Sequence, residues 1–282
     1  MRWKLAVVVS LVGFLGSSTP AAAITIIGNF LPINTGPDND PASGGGNIQS
    51  VFEAAAQEWE QAILDDRIVT IDYFWEAIPN ALAFSAGDTV SGFIAVTTMA
   101  DWFVDATPET GEEYLTQELS YATLNGLTLR YGVGLSDGVD QAEGTDLFSV
   151  LVHEIGHILS AGPNISTECL PDGDVDVTAP LPFAGVAIPT SSCFHVGLPV
   201  GYSGFKPVMF PFMGDGERRF ISDADLLYVA QNGGWQNIAA TEVTAVPEPA
   251  TMMLVGLGGL GWAARRFKSG SRSKSSDGTG RS

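Results

Sequence analysis

The sequence predicts an α+β fold: a mixed, twisted sheet, a helix that carries the site, and an irregular C-terminal lobe. Three observations predict it. Of 282 residues 45% are apolar and only 16% charged, enough for one sizeable core. Apolar residues recur at helical three-and-four spacing in separate segments, and strand-like runs lie between the first two. Ahead of the last helical segment, a long stretch rich in proline and glycine shows no period at all.

Residues 24–30 form a short apolar strand, and residues 34–47 are turn formers that make a loop. Ile48, Val51, Phe52, Ala55, Trp59, Ala62 and Ile63 then share one face of a helix over 48–64. In 68–74, Val69, Ile71 and Tyr73 alternate with Ile68, Thr70 and Asp72, the pattern of a half-buried strand. Further strands are expected at 81–85, 92–98 and 128–131. A second helix opens at Thr145 or Asp146, carries Leu147, Val150, Leu151, Ile155 and Ile158, and stops at Ala161-Gly162-Pro163. Residues 163–220 read as irregular. The last helix starts at Ser222, with Asp225 three residues on as a capping box, and ends at Gly233-Gly234. The body, 24–240, is expected to be one domain.

Charge excludes one class of function. The formal net charge is −19, and residues 24–264 hold 5 basic residues against 31 acids. Such a field repels phosphate backbones, so nucleic-acid binding is not expected. The ends read as addresses. Residues 1–23 place Arg2 and Lys4 before an apolar run and finish in Ala21-Ala22-Ala23, the layout of a secretory signal peptide cleaved after Ala23. In the exported compartment Cys169 and Cys193 are expected to pair as a disulfide. At the other end, residues 250–264 are uncharged and would make about 22 Å of helix, short of a hydrocarbon core of about 30 Å. Pro247-Glu248-Pro249, this short helix and Arg265-Arg266 together resemble the PEP-CTERM sorting signal of Gram-negative bacteria, over 246–268. The resemblance implies recognition by an exosortase, transient inner-membrane contact through 250–264, and delivery to the cell surface or extracellular matrix. The tail 269–282, rich in Ser, Gly, Lys and Arg, reads as disordered.

The second helix reads His153-Glu154-Ile155-Gly156-His157, a complete H-E-x-x-H. Histidines four apart stack one turn above each other, so two imidazoles can take adjacent corners of a tetrahedral Zn2+. Glu154 lies about 100° further round, where it can act as general base on a metal-activated water. A third ligand is needed, and His195 is the remaining imidazole of the chain, 38 residues beyond His157 and two beyond Cys193. Its rivals are Glu168, Asp172, Asp174, Asp176 and Glu217. A Cys169–Cys193 bridge would remove about 3.5 kcal/mol of unfolded-state entropy and tether the chain beside His195.

With Pro207-Val208-Met209-Phe210-Pro211 and the closing helix, these residues resemble a metzincin-clan zinc endopeptidase. The resemblance implies a zincin-like catalytic domain over 24–240, with Met209 as the Met-turn residue beneath the metal and Met213 as its competitor. The family's usual glycine and third histidine fall here on Ser160 and Pro163, so the spacing is closer to that of leishmanolysin-like enzymes, where an insertion precedes the third histidine. No Cys precedes the helix, so a cysteine-switch segment is not expected. The acids Asp172, Asp174 and Asp176 could hold Ca2+, although the glycine among them is misplaced for an EF-hand loop. The expected activity is cleavage of protein or peptide substrates. The alternatives are an acidic surface protein that keeps the fold without turnover, and a zinc hydrolase acting on other bonds.

Overall fold

The computed structural model describes residues 23–36, 44–136, 144–162, 173–179, 183–191 and 194–239. Strand β1 (Thr25–Phe30), helix α1 (Ile48–Ala62) and strand β2 (Ile68–Glu76) form a crossover unit, because β1 and β2 run parallel and need such a connection. Asn47 caps α1 by accepting the Ser50 N–H at 3.0 Å. The buried face of α1 lies on the sheet, where Phe52 stacks on Tyr73 of β2 with ring centroids 4.1 Å apart. In β2, Val69, Ile71, Tyr73 and Trp75 point inward, and Thr70, Asp72, Phe74 and Glu76 point out. After strands β3 (Ala83–Gly87) and β4 (Ser91–Thr97), the sheet has the order β1-β2-β4-β3. β4 is parallel to β2, and β3 is the antiparallel edge.

Short β5 (Trp102–Phe103) pairs with β8 (Thr145–Asp146) immediately before helix α2 (Leu147–Ser160). Between them, β6 (Thr116–Leu124) and β7 (Leu127–Ser136) form a long hairpin. Its turn is Asn125-Gly126, with both φ angles positive at 49° and 84°, as a two-residue type I′ loop requires. Strands β9 (Asp174–Asp176), β10 (Ala187–Ser191) and β11 (His195–Val196) make a small antiparallel sheet, and β12 (Glu217–Phe220) joins β7. Helix α3 (Asp223–Gly233) follows the expected capping box of Ser222 and Asp225 and ends at Gly234 in the left-handed region.

The α+β class agrees with the sequence, and several boundaries do not. The strand expected at 128–131 is the middle of a ten-residue strand whose partner β6 was not expected at all. Its half-buried positions carry Glu118 and Ser120 beside Ala122 while Leu119 and Tyr121 are exposed, so β6 lacks an inward apolar stripe. The strand expected at 81–85 is displaced to Ala83–Gly87, where it pairs with β4. The described residues of the segment read as irregular hold four short strands, too short for periodicity to register. Thr145 and Asp146 belong to β8, and Asp146 serves as the N-cap of α2. All of α2 except His157 is buried, against α1, α3 and the sheet. That surrounds a helix of mostly apolar residues on every side, and the polar groups it carries into the core need partners.

Candidate metal centre

Helix α2 is fixed at both levels. The Asp146 carboxylate accepts the Ser149 N–H at 3.0 Å and the Ser149 hydroxyl at 2.6 Å, and is itself paired with Arg218 at 2.9 Å. One residue before the first histidine, the Val152 carbonyl accepts the Trp59 indole N–H at 2.9 Å. Four residues apart on this helix, His153 and His157 bring their Nε2 atoms to 3.0 Å. His195, on β11, completes the group: its ring centroid lies 5.2 Å from that of His153 and 4.8 Å from that of His157. One ligand atom from each lies within 4.8 Å of the others. Among the described residues no other group of His, Cys, Asp and Glu gathers this closely.

The rival ligands are elsewhere. Asp174 and Asp176 are exposed on β9, and the Glu217 carboxylate binds Arg219 at 2.6 Å. Glu168 and Asp172 lie outside the described residues, as do Cys169, Cys193 and therefore the expected disulfide. The calcium expectation rested on Asp172, Asp174 and Asp176; only the last two are described, and they form no such cluster.

The turn at Val208-Met209 ties the histidines together. The Nδ1–H of His153 donates to the Val208 carbonyl at 2.7 Å, which leaves its Nε2 as the lone-pair nitrogen. The Val196 N–H, beside His195, donates to the Met209 carbonyl at 3.0 Å. Asp225 of α3 accepts the Val208 and Met209 N–H groups at 3.1 and 2.8 Å, so the residue recognised in the sequence as a helix cap also holds this turn. Met209 is fully buried, with its thioether against Gly156 between the two helix histidines, whereas Met213 is partly exposed on the cleft wall. A side chain at Gly156 would meet both Met209 and Trp59. Phe194, just before His195, has φ 79°, a conformation costing about 1–3 kcal/mol for a residue with a side chain.

Glu154 is 7% exposed, and its Oε2 accepts the Ser85 hydroxyl of edge strand β3 at 2.5 Å. Burial pushes its carboxyl up to about 7, with the Ser85 bond opposing. Burial lowers His153 to about 4, against the pull of the Val208 carbonyl and with Arg219 adding to it. It also lowers His157 well below the usual value, helped by its two histidine neighbours. Both helix imidazoles are therefore neutral near pH 7, the form in which nitrogen binds metal. The three histidines and Glu154 open into a cleft of about 970 Å³ between β3 and residues 210–213. Arg219 braces the latter wall by donating to the Phe212 carbonyl at 2.8 Å. Among the described residues no Lys or Arg lines the cleft, and Glu154 is its lone carboxylate.

Sequence reasoning did not find Ser85 or the second role of Asp225. Ser85 has no local signal, since only the register of β3 on β4 aims it at the helix.

Among known families, the model of the PEP-CTERM protein-sorting motif matches residues 245–266, within two residues of the span expected. No curated protein and no solved structure matches the chain, and no metalloprotease family match accompanies the motif. The motif marks proteins exported and sorted to the cell surface in Gram-negative bacteria; the chain is an exported, surface-sorted protein whose signal implies recognition by an exosortase-type enzyme.

Proposed function

We propose that this surface-sorted protein is a zinc-dependent endopeptidase on a zincin-like fold. The observation that carries the reading is the convergence of His153, His157 and His195 in one cleft with the carboxylate of Glu154. The donor set fits zinc: three imidazole nitrogens, with no thiolate among them, are a ligand number that leaves a coordination position open for chemistry. When bound, zinc supplies Lewis acidity toward a water and the scissile carbonyl.

The chain's own groups divide the remaining work. The Val208 carbonyl fixes the tautomer of His153. Ser85 orients the Glu154 carboxylate, which accepts the proton of the attacking water and passes it to the leaving amine. A proton affinity raised to about 7 by burial suits both transfers near neutral pH. Among the described residues the cleft holds no cation to receive a terminal carboxylate, and no carboxylate besides Glu154 for a terminal ammonium, so that lining supports attack within a chain rather than at its ends.

The test is zinc content and casein cleavage by the purified exported protein and by Glu154→Gln. We expect about one zinc per chain in both, with cleavage reduced at least ~100-fold in the variant. Cleavage by Glu154→Gln at the parent rate would remove this mechanism. A folded, zinc-loaded parent that cleaves neither casein nor itself would leave an acidic surface protein on the same scaffold.

A further inference from the structure

The sheet has a second apolar surface, on the side away from α1 and α2. Register places Asn29, Asp72, Phe93 and Ala86 in one outward-facing row across the four strands, and Phe74, Ala95 and Phe84 in the next. Three phenyl rings therefore surround the small side chain of Ala95. Phe93 lies 6.2 Å from Phe74 and 6.0 Å from Phe84, and Phe84 and Phe93 are 55% and 37% exposed. A face that is merely solvated carries polar residues at such positions, and contiguous exposed rings mark a binding surface. The charged residues of these four strands are Asp72 and Glu76, both acidic and both facing out. Asn29 donates to Asp72 Oδ1 at 3.1 Å, which holds that carboxylate in the row of Phe93.

This surface is continuous with the cleft. Phe84 lines the cleft, and Ala86 and Gly87 line both it and a shallower depression of about 380 Å³ that reaches Asp72 and Phe93. A polypeptide leaving the cleft over the rim of β3 at Ala86-Gly87 would run onto the rings.

We infer that the outer face at Asp72, Phe74, Phe84 and Phe93 is a second binding site, which takes a basic side chain of the substrate polypeptide beyond the cleaved segment. The inference rests on the peptidase reading of the cleft. A lysine or arginine would lie over the Phe93 ring and meet the Asp72 carboxylate, which combines a cation–π contact with an ion pair. The strongly negative body would draw such a segment in.

The experiment uses the exported protein carrying Glu154→Gln, so that the probe stays intact. Binding of a fluorescein-labelled peptide of alternating lysine and alanine is followed by anisotropy, beside the same peptide with glutamate for lysine. The lysine peptide should bind and the glutamate peptide should not. Asp72→Asn and Phe93→Leu, the latter keeping apolar bulk, should each weaken binding about fivefold or more. Asp66→Asn, the same charge change on an exposed residue outside this face, should leave it unchanged. Equal affinities for the parent, Asp72→Asn and Phe93→Leu would overturn the inference, as would equal weakening by Asp66→Asn, or Phe93-dependent binding of uncharged cellohexaose in place of the peptide. If casein is cleaved while those substitutions leave peptide binding untouched, this site falls and the peptidase reading stands. If the peptide binds through Asp72 and Phe93 to a protein whose parent form cleaves nothing, the peptidase reading falls and the basic-peptide site stands.

Discussion

Gly156→Ala sets two effects of known size against each other. Alanine is favoured over glycine inside a helix by about 0.8–1.0 kcal/mol, so an isolated α2 would be stabilised by the change. In the folded protein the new methyl would lie 2.9 Å from Trp59 Cζ2 and 3.2 Å from Met209 Cε, and closer still to Met209 Sδ. Favourable contacts between heavy atoms lie at about 3.5–4.0 Å. Trp59 is fully buried and tied to the Val152 carbonyl, so it has little freedom to yield. Met209 is flexible at its tip, yet its backbone is held by Asp225 and by Val196. Overpacking of this kind costs about 1–3 kcal/mol, so the net expectation is a loss of ~1 kcal/mol despite the helix preference. The larger effect is expected at the proposed zinc site. Displacing Met209 moves the adjoining Val208 carbonyl off His153, and loss of such a supporting bond lowers metal affinity about 10- to 100-fold. Denaturant unfolding of the metal-free proteins and competitive zinc titration separate the two. In a Met209→Ala background the same substitution should cost less on both measures. A Gly156→Ala protein that is more stable than the parent and binds zinc equally well would refute this account of the contact.

Removing the imidazole in His195→Ala should abolish stoichiometric zinc binding while far-ultraviolet circular dichroism stays unchanged; retained zinc would assign the third position to another residue. Arg218→Ala would strand the carboxylates of Asp105 and Asp146, each 1% exposed and paired to Arg218 at 2.8 and 2.9 Å, and should destabilise by about 3–5 kcal/mol in urea unfolding. A loss below ~1 kcal/mol would show that these charges are relieved without the arginine. For Asp225, burial outweighs its bonds from Ser222, Met209 and Val208 and raises its carboxyl from 3.8 to about 6. The folded state thus keeps a proton that the unfolded chain releases. This group's contribution is full below its unfolded value and is lost as pH rises through about 6. The stability of the parent relative to Asp225→Asn should therefore fall across that window and level off above it; a difference that grows with pH there would contradict the assignment.

Local regularities fixed much of this protein in its sequence. The three-and-four apolar spacing marks α1 and α2, Ser222 with Asp225 marks the start of α3, and alternation marks β2. The i, i+4 spacing alone puts His153 and His157 on one face of any helix, with Glu154 beside them. The same logic could have found the β6–β7 hairpin, since Asn125-Gly126 is its turn signal, although Glu118 and Ser120 on the half-buried face of β6 hid the strand itself. Elsewhere the information was not local. Whether His195 or a carboxylate stands near the pair depends on β11 pairing with β10 and on the Val196 bond to Met209, neither of which has a periodic signature. Ser85 reaches Glu154 through strand register, and Met209 rather than Met213 meets the helix because Asp225 holds the turn from a third element. Spacing along a chain constrains neighbours within a few turns; contacts between residues tens of positions apart are set by which faces pack together, and packing is decided by the whole core at once.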